Sequence, residues 1–128
     1  MVETYLAVNG TLMRGLELNK NLLAVGAEFV REDVTCPGYR LWSINDKYPA
    51  MIRDLTGEGG IHLEIWKLSP EALVTVLQQE PPGLCIGKIQ LQNGESVLGV
   101  LGEPHIIEGQ TEITVWGGWR EYILNHYI

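Results

Sequence analysis

Val8-Asn9-Gly10-Thr11-Leu12-Met13-Arg14-Gly15 is the stretch from which the rest of this 128-residue chain is read. An apolar, β-prone run, Tyr5-Leu6-Ala7-Val8, leads into it, and a helix-like segment, Asn19 to Gly26, follows. A strand that stops at Asn-Gly-Thr and reopens as a helix leaves backbone N–H groups without ladder partners at its tip. Gly10 permits a sharp reversal without a Cβ clash, and successive free N–H groups form a nest able to hold an anion. The plain alternative is an ordinary strand-to-helix turn. What gives the stretch its interest is a carboxylate far along the chain, Glu80.

Downstream, Asn19 is expected to cap a short helix with Leu22, Leu23 and Val25 on its apolar side and Gly26 at its end. Ala27 to Thr35 reads as extended, and Pro37-Gly38 as a turn. Tyr39, Leu41 and Ser43 alternate with Arg40, Trp42 and Ile44 in a strand covered on both faces. Asn45-Asp46 makes a further turn, and Ala50 to Arg53 continues a strand after Pro49. Ile61, Leu63 and Ile65 alternate with His62, Glu64 and Trp66 in the clearest strand of the chain. Ser69-Pro70-Glu71 is a helix start, with Ser as N-cap, Pro at the first helical position and an acid in the first turn. Leu73, Val76 and Leu77 form its buried stripe, and Pro81-Pro82-Gly83 ends it. Leu84–Leu91 and Ser96–Leu101 flank Gln92-Asn93-Gly94-Glu95, whose Asn-Gly pair predicts a hairpin. Gly117-Gly118-Trp119-Arg120 opens a last helix with Trp119, Tyr122, Ile123 and His126 on one side.

About six or seven strands and three short helices predict an α+β fold, with a mostly antiparallel sheet curled into a small β-barrel. There is no internal repeat or linker, so residues 1–128 are expected to form one domain. A hydrophobic fraction of 45% and a charged fraction of 20% are ordinary globular values. No apolar run approaches the roughly 20 residues of a membrane span, and Met1-Val2-Glu3-Thr4 has no basic start of a secretory signal. A cytoplasmic location is the expectation, with Cys36 and Cys85 as free thiols. The net charge of −7 and pI near 4.8 argue against nucleic acid as partner.

Absences narrow the chemistry. No phosphate loop, dinucleotide fingerprint, Cys-x-x-Cys or His-x-x-x-His is present, and the scattered His62, His105 and His126 predict no metal site. Cys36 and Cys85 lack the basic sequence neighbours that activate a nucleophile. Glu80 ends an amphipathic helix immediately before two prolines, where the helix dipole disfavours a negative charge. Burial there would raise its pKa and fit it for proton transfer near neutral pH; the plain alternative is a solvated terminal glutamate. Arg53, in an apolar strand, either reaches outward or faces an anionic ligand. Arg120 is expected to tie the last helix to the barrel.

Several stretches together carry a family resemblance. They are Gly26-Ala27-Glu28-Phe29-Val30, Pro37-Gly38-Tyr39-Arg40-Leu41-Trp42, Pro49-Ala50-Met51-Ile52-Arg53, Glu64-Ile65-Trp66-Lys67-Leu68, Leu84-Cys85-Ile86-Gly87-Lys88 and Gly117-Gly118-Trp119-Arg120. With these the chain resembles the γ-glutamylcyclotransferase-like superfamily, and within it the C-terminal domain of allophanate hydrolase, here as a free-standing protein. The superfamily's Tyr-Gly-Ser-Leu loop is matched by Asn9-Gly10-Thr11-Leu12, and its catalytic glutamate by Glu80. The resemblance implies that Glu80 takes a proton from a substrate amine. The amine then attacks its own γ-carbonyl, while loop N–H groups hold the oxyanion. It places substrate contacts at Asn9, Gly10, Thr11, Leu12, Tyr39 and Arg53, and implies no cofactor.

Three positions depart from the pattern. Asn9 replaces a tyrosine, Pro81 follows Glu80 where a glycine is usual, and Leu12 stands where the allophanate-type domain carries a histidine. The resemblance leaves three readings open. One is a cyclotransferase-like enzyme acting on a small carboxylate-bearing substrate. The second is a decarboxylating partner of a separate amidase in urea and allophanate degradation, and the third a non-catalytic binding module. No membrane partner is expected, and the chain is expected to be a monomer or homodimer.

Overall fold

The computed structural model describes residues 3–126. The chain runs β1 (Thr4–Val8), α1 (Asn19–Ala24), β2 (Glu28–Val34), β3 (Tyr39–Ile44), β4 (Tyr48–Arg53), β5 (His62–Leu68), α2 (Pro70–Gln78), β6 (Leu84–Gln90), β7 (Ser96–Gly102), β8 (Thr111–Glu112) and α3 (Trp119–His126). Two 3-10 turns, Pro104–Ile107 and Thr114–Trp116, flank β8. No described helix is long and apolar enough to cross a membrane.

The strands form a five-stranded sheet in the order β2-β5-β1-β7-β6 and a three-stranded sheet in the order β4-β3-β8. β1 is central: it pairs antiparallel with β5 and parallel with β7, and Leu6, Ala7 and Val8 are sealed from solvent. β5 is buried on both faces, with Leu63 and Ile65 on one and Glu64 and Trp66 on the other. Residues of both sheets, Leu6, Leu41, Met51 and Ile65 among them, share one apolar core.

The α+β class agrees with the sequence reading, but the β-barrel does not. Neither sheet closes. The outer strands β2 and β6 meet only at an isolated bridge between Thr35 and Leu91, where Cys36 donates to the Gln90 carbonyl at 3.0 Å. The strands that would have to complete a ring, β3 and β4, turn away after Pro37-Gly38 and pair with each other and with β8. Pro49, opposite Ser43 in β4, has no N–H to offer a neighbouring strand, which suits an edge rather than a ladder interior.

Local details refine the expected turns and caps. Ser69 caps α2 as predicted, its Oγ accepting from Ala72 N–H at 3.1 Å. Asn19 does not cap α1. Leu18 occupies that position, and the Asn19 amide donates instead to the Leu12 carbonyl at 2.9 Å, tying the helix to the loop after β1. The helix ends with Gly26 N–H on Leu23 O and Ala27 N–H on Leu22 O, the paired bonds of a Schellman stop. Asn45 and Asp46, with φ of 53° and 56°, are the left-handed pair of a primed turn closed by Lys47 N–H on Ile44 O, and Ile44 pairs with Tyr48 across a three-residue loop. At Asn93-Gly94 the glycine alone is left-handed, with φ of 92°, and Leu91 pairs with Glu95 across a three-residue loop.

One buried carboxylate ties these parts together. Glu64, 2% exposed in β5, accepts Arg14 N–H at 2.9 Å, Arg14 Nε at 3.1 Å, Arg120 Nη2 at 3.1 Å and Trp66 Nε1 at 3.1 Å. Arg14 lies over the Phe29 ring, 3.7 Å from its centroid, and Phe29 meets Trp66 edge-on. Arg120 also donates to the Arg14 carbonyl at 3.0 Å. Arg120 thus anchors the last helix as expected, though to an open sheet and to the loop that follows β1.

Glu64→Gln would leave two guanidinium groups without their shared counter-charge. Because both arginines retain partial access to water, the expected loss is about 2–3 kcal/mol, below the usual range for a broken buried pair. Urea denaturation checks it; a variant within a few tenths of the parent would remove Glu64 from this role.

Candidate functional site

β1 delivers Asn9 to Leu12 to one end of the central sheet, and the C-terminus of α2 delivers Glu80 to the same end. Both line a single cavity together with Val8, Tyr48, Pro49, Leu84 and Val100. The space open to the centre of a water molecule is about 10 Å³, room for one water.

The loop is built from backbone bonds that fold it away from its own N–H groups. Met13 donates to Gly10 O at 3.0 Å and Leu18 to Thr11 O at 2.9 Å, while Arg14 N–H goes to Glu64. The N–H groups of Gly10, Thr11 and Leu12 are left with no acceptor among the described residues. Gly10 does not need a left-handed backbone. Its missing side chain makes room for Pro49, whose Cδ and Cγ lie 2.5 and 2.7 Å from where a Cβ would stand. Asn9 is buried and donates to Val100 O at 3.0 Å, bracing the loop against β7.

Glu80 is half-buried, and its Oε2 is sealed from solvent with no hydrogen-bond partner. Burial raises its pKa from the usual carboxylate value to about 7. Apart from Glu80 itself, no charged residue lines the cavity, so nothing there opposes the desolvation. The group can therefore exchange a proton near neutral pH.

The other expected contacts lie elsewhere. Tyr39 and Arg53 face each other across β3 and β4, and neither lines the cavity. The Tyr39 hydroxyl accepts from Arg53 Nη1 at 3.2 Å and from Gln90 N–H at 2.9 Å, and the guanidinium lies over the tyrosine ring. No histidine lines the cavity either. His62 pairs with Glu121 and His105 with Glu103, while Leu12 occupies the position of the expected imidazole. Sequence reasoning did not reach Tyr48 and Pro49 as cavity walls; the Pro49 ring against a glycine loop was the signal available.

An open two-sheet α+β fold with a glycine loop beside a buried glutamate defines the class. Residues 4–124 match the allophanate hydrolase C-terminal domain, and the chain belongs to that family. It is 30% identical over 125 residues to the urea amidolyase of Lachancea kluyveri, covering 92% of this chain and 7% of that protein. The chain therefore spans only a small part of this curated relative. Among solved structures, a uropathogenic E. coli-specific protein is 54% identical, with a TM-score of 0.94 over the whole of both chains. The urea amidolyase of K. lactis is 26% identical, with a TM-score of 0.91 over 98% of this chain and 8% of that one.

The pKa of Glu80 gives a stability test. Its folded value of about 7 is raised above that of the unfolded chain, so the native state holds the proton more tightly. The stabilising contribution is fully present below about pH 4.5 and is lost as pH rises through about 7. Glu80→Gln lacks this dependence. It is expected to match the parent near pH 4 and to exceed it by about 3 kcal/mol at pH 8. Denaturation at both pH values measures it; a constant difference would show that the carboxyl is not desolvated.

Proposed function

We propose that the chain does the work of an allophanate hydrolase C-terminal domain. It acts beside an amidase in the breakdown of urea-derived compounds, receiving a small carboxylated product with its reacting end at Glu80 and releasing carbon dioxide. Glu80, a carboxyl of pKa about 7 with a partnerless buried oxygen, is the observation that carries this reading. A carbamate loses carbon dioxide once its nitrogen is protonated. Glu80 gives its proton to that nitrogen, the electrons of the breaking C–N bond stay on nitrogen, and solvent reprotonates the carboxylate. The free N–H groups of Gly10, Thr11 and Leu12 offer donors to the substrate's carboxylate or carbonyl oxygens and so orient the C–N bond toward Glu80. With Leu12 in place of an imidazole, proton transfer falls to Glu80 alone.

The resemblance of Asn9-Gly10-Thr11-Leu12 and Glu80 to the γ-glutamylcyclotransferase motif supports a second reading. There Glu80 acts as base on an α-amine, and the same N–H groups hold the oxyanion. A cytoplasmic location and a single domain of residues 1–128, monomeric or homodimeric, belong to the same proposal.

The test adds the purified chain to a urea-amidolyase-type amidase turning over allophanate, with carbon dioxide and ammonia followed separately. The parent is expected to speed carbon dioxide release, and Glu80→Gln to lose about 10²–10⁴-fold of that effect, as for a removed general acid. If the parent alters neither product, the reading fails. Conversion of a γ-glutamyl dipeptide to 5-oxoproline by the parent and not by Glu80→Gln would put the second reading first.

A further inference from the structure

Thr11 and Tyr48 line a second space besides the Glu80 cavity. It is an open cleft of about 590 Å³, walled also by Glu17, Asp46, Lys47 and Pro81. Pro81 directly follows Glu80, so cavity and cleft meet along one wall. The cavity admits one water, and a ligand whose reacting end touches Glu80 must keep most of its atoms in this cleft.

The charges of the cleft are not equivalent. Asp46 is committed: its Oδ1 accepts from Ser43 Oγ at 2.6 Å and from Tyr122 OH at 2.7 Å. Lys47 is not. Its backbone is fixed by the primed hairpin turn, with its N–H on Ile44 O at 3.0 Å, but its ammonium forms no ion pair among the described residues. Lys20 and Lys88 also form no ion pair among the described residues, but of the cations Lys47 alone lines the cavity or the cleft. Arg53, the other candidate for an anionic ligand, is held on Tyr39 and lines neither space. Glu17 on the opposite wall opposes a second negative charge, so the cleft favours one carboxylate at a time.

We infer that Lys47 is the anion-recognising residue of this site and receives the carboxylate of a small ureido or amide acid whose other end reaches Glu80. This rests on the reading of the Glu80 cavity as the reaction site, but it concerns binding and is tested without turnover. N-carbamoylglycine carries both groups and serves as the probe, with its uncharged amide as control. Amide shifts of Thr11, Lys47 and Tyr48 are followed by NMR on titration of the parent, Lys47→Met and Arg53→Met.

The acid is expected to bind the parent at millimolar concentration and Lys47→Met about fivefold more weakly, the effect of one partly solvated charge pair. The uncharged amide is expected to bind both alike, and Arg53→Met to match the parent. Equal affinity of the acid for the parent and Lys47→Met, weakening confined to Arg53→Met, or no shift in the parent would each overturn the assignment. Lys47-dependent binding alongside full activity of Glu80→Gln would sustain the Lys47 subsite and bring down the catalytic reading instead.

Discussion

Glu64 is the constraint on which the rest of the structure depends. A carboxylate in the middle of a strand buried on both faces needs donors for both oxygens. It takes them from two places distant in sequence, the Arg14 backbone and guanidinium and Arg120 at the start of α3, and from Trp66 two residues on. Each donor fixes a different element. The Arg14 N–H anchors the loop that leaves β1, and Arg120 brings the last helix against the sheet. The Trp66 ring carries Phe29 and with it β2. The loop N–H groups that line the cavity are held by this arrangement only a few residues before Arg14.

Glu80 presents the opposite case on the same molecule. Glu64 receives four donors, whereas the buried oxygen of Glu80 receives none. The first is a charge stabilised by its surroundings; the second is a group whose surroundings favour its neutral form. The two carboxyls therefore sit in opposite surroundings, Glu64 sealed in the sheet with every oxygen paired and Glu80 half-buried with one oxygen unpaired. An unsatisfied carboxyl detracts from stability in its ionised form, and such features concentrate at sites where chemistry needs them.

Sequence patterns conveyed the local elements better than their assembly. Alternation placed β3 at Tyr39–Ile44, and Ser69-Pro70 placed the start of α2, because both signals are short-range and physical. Closure of a sheet is not short-range. Whether β2 and β6 become neighbours depends on where β3 and β4 go, and nothing in any one strand states that. The two residues of β8 are too few for a periodicity to register. In the candidate site, the Asn9–Leu12 loop and Glu80 were reached through a motif and a helix-end argument. Tyr39 and Arg53 show the limit of that route. An arginine in an apolar strand can be satisfied by the tyrosine directly across the ladder as readily as by a ligand, and here it is.

Pro49 links the two sheets to the site. As a strand residue without an N–H it keeps β4 at an edge, and as a rigid ring it fills the space that Gly10 leaves open. The same ring therefore limits the second sheet and forms one wall of the Glu80 cavity. Pro81 stiffens the chain just beyond Glu80 and lines the adjoining cleft instead. On the side of Pro49 the cavity cannot widen by side-chain rotation, since the ring has no rotatable arm to swing aside. Larger ligands have to be accommodated outward, toward Thr11, Tyr48 and Lys47, where the wall is a hairpin turn rather than the core. On the proposed function, the backbone of β4 and the end of α2 set what reaches Glu80, and the loop after β1 supplies the donors.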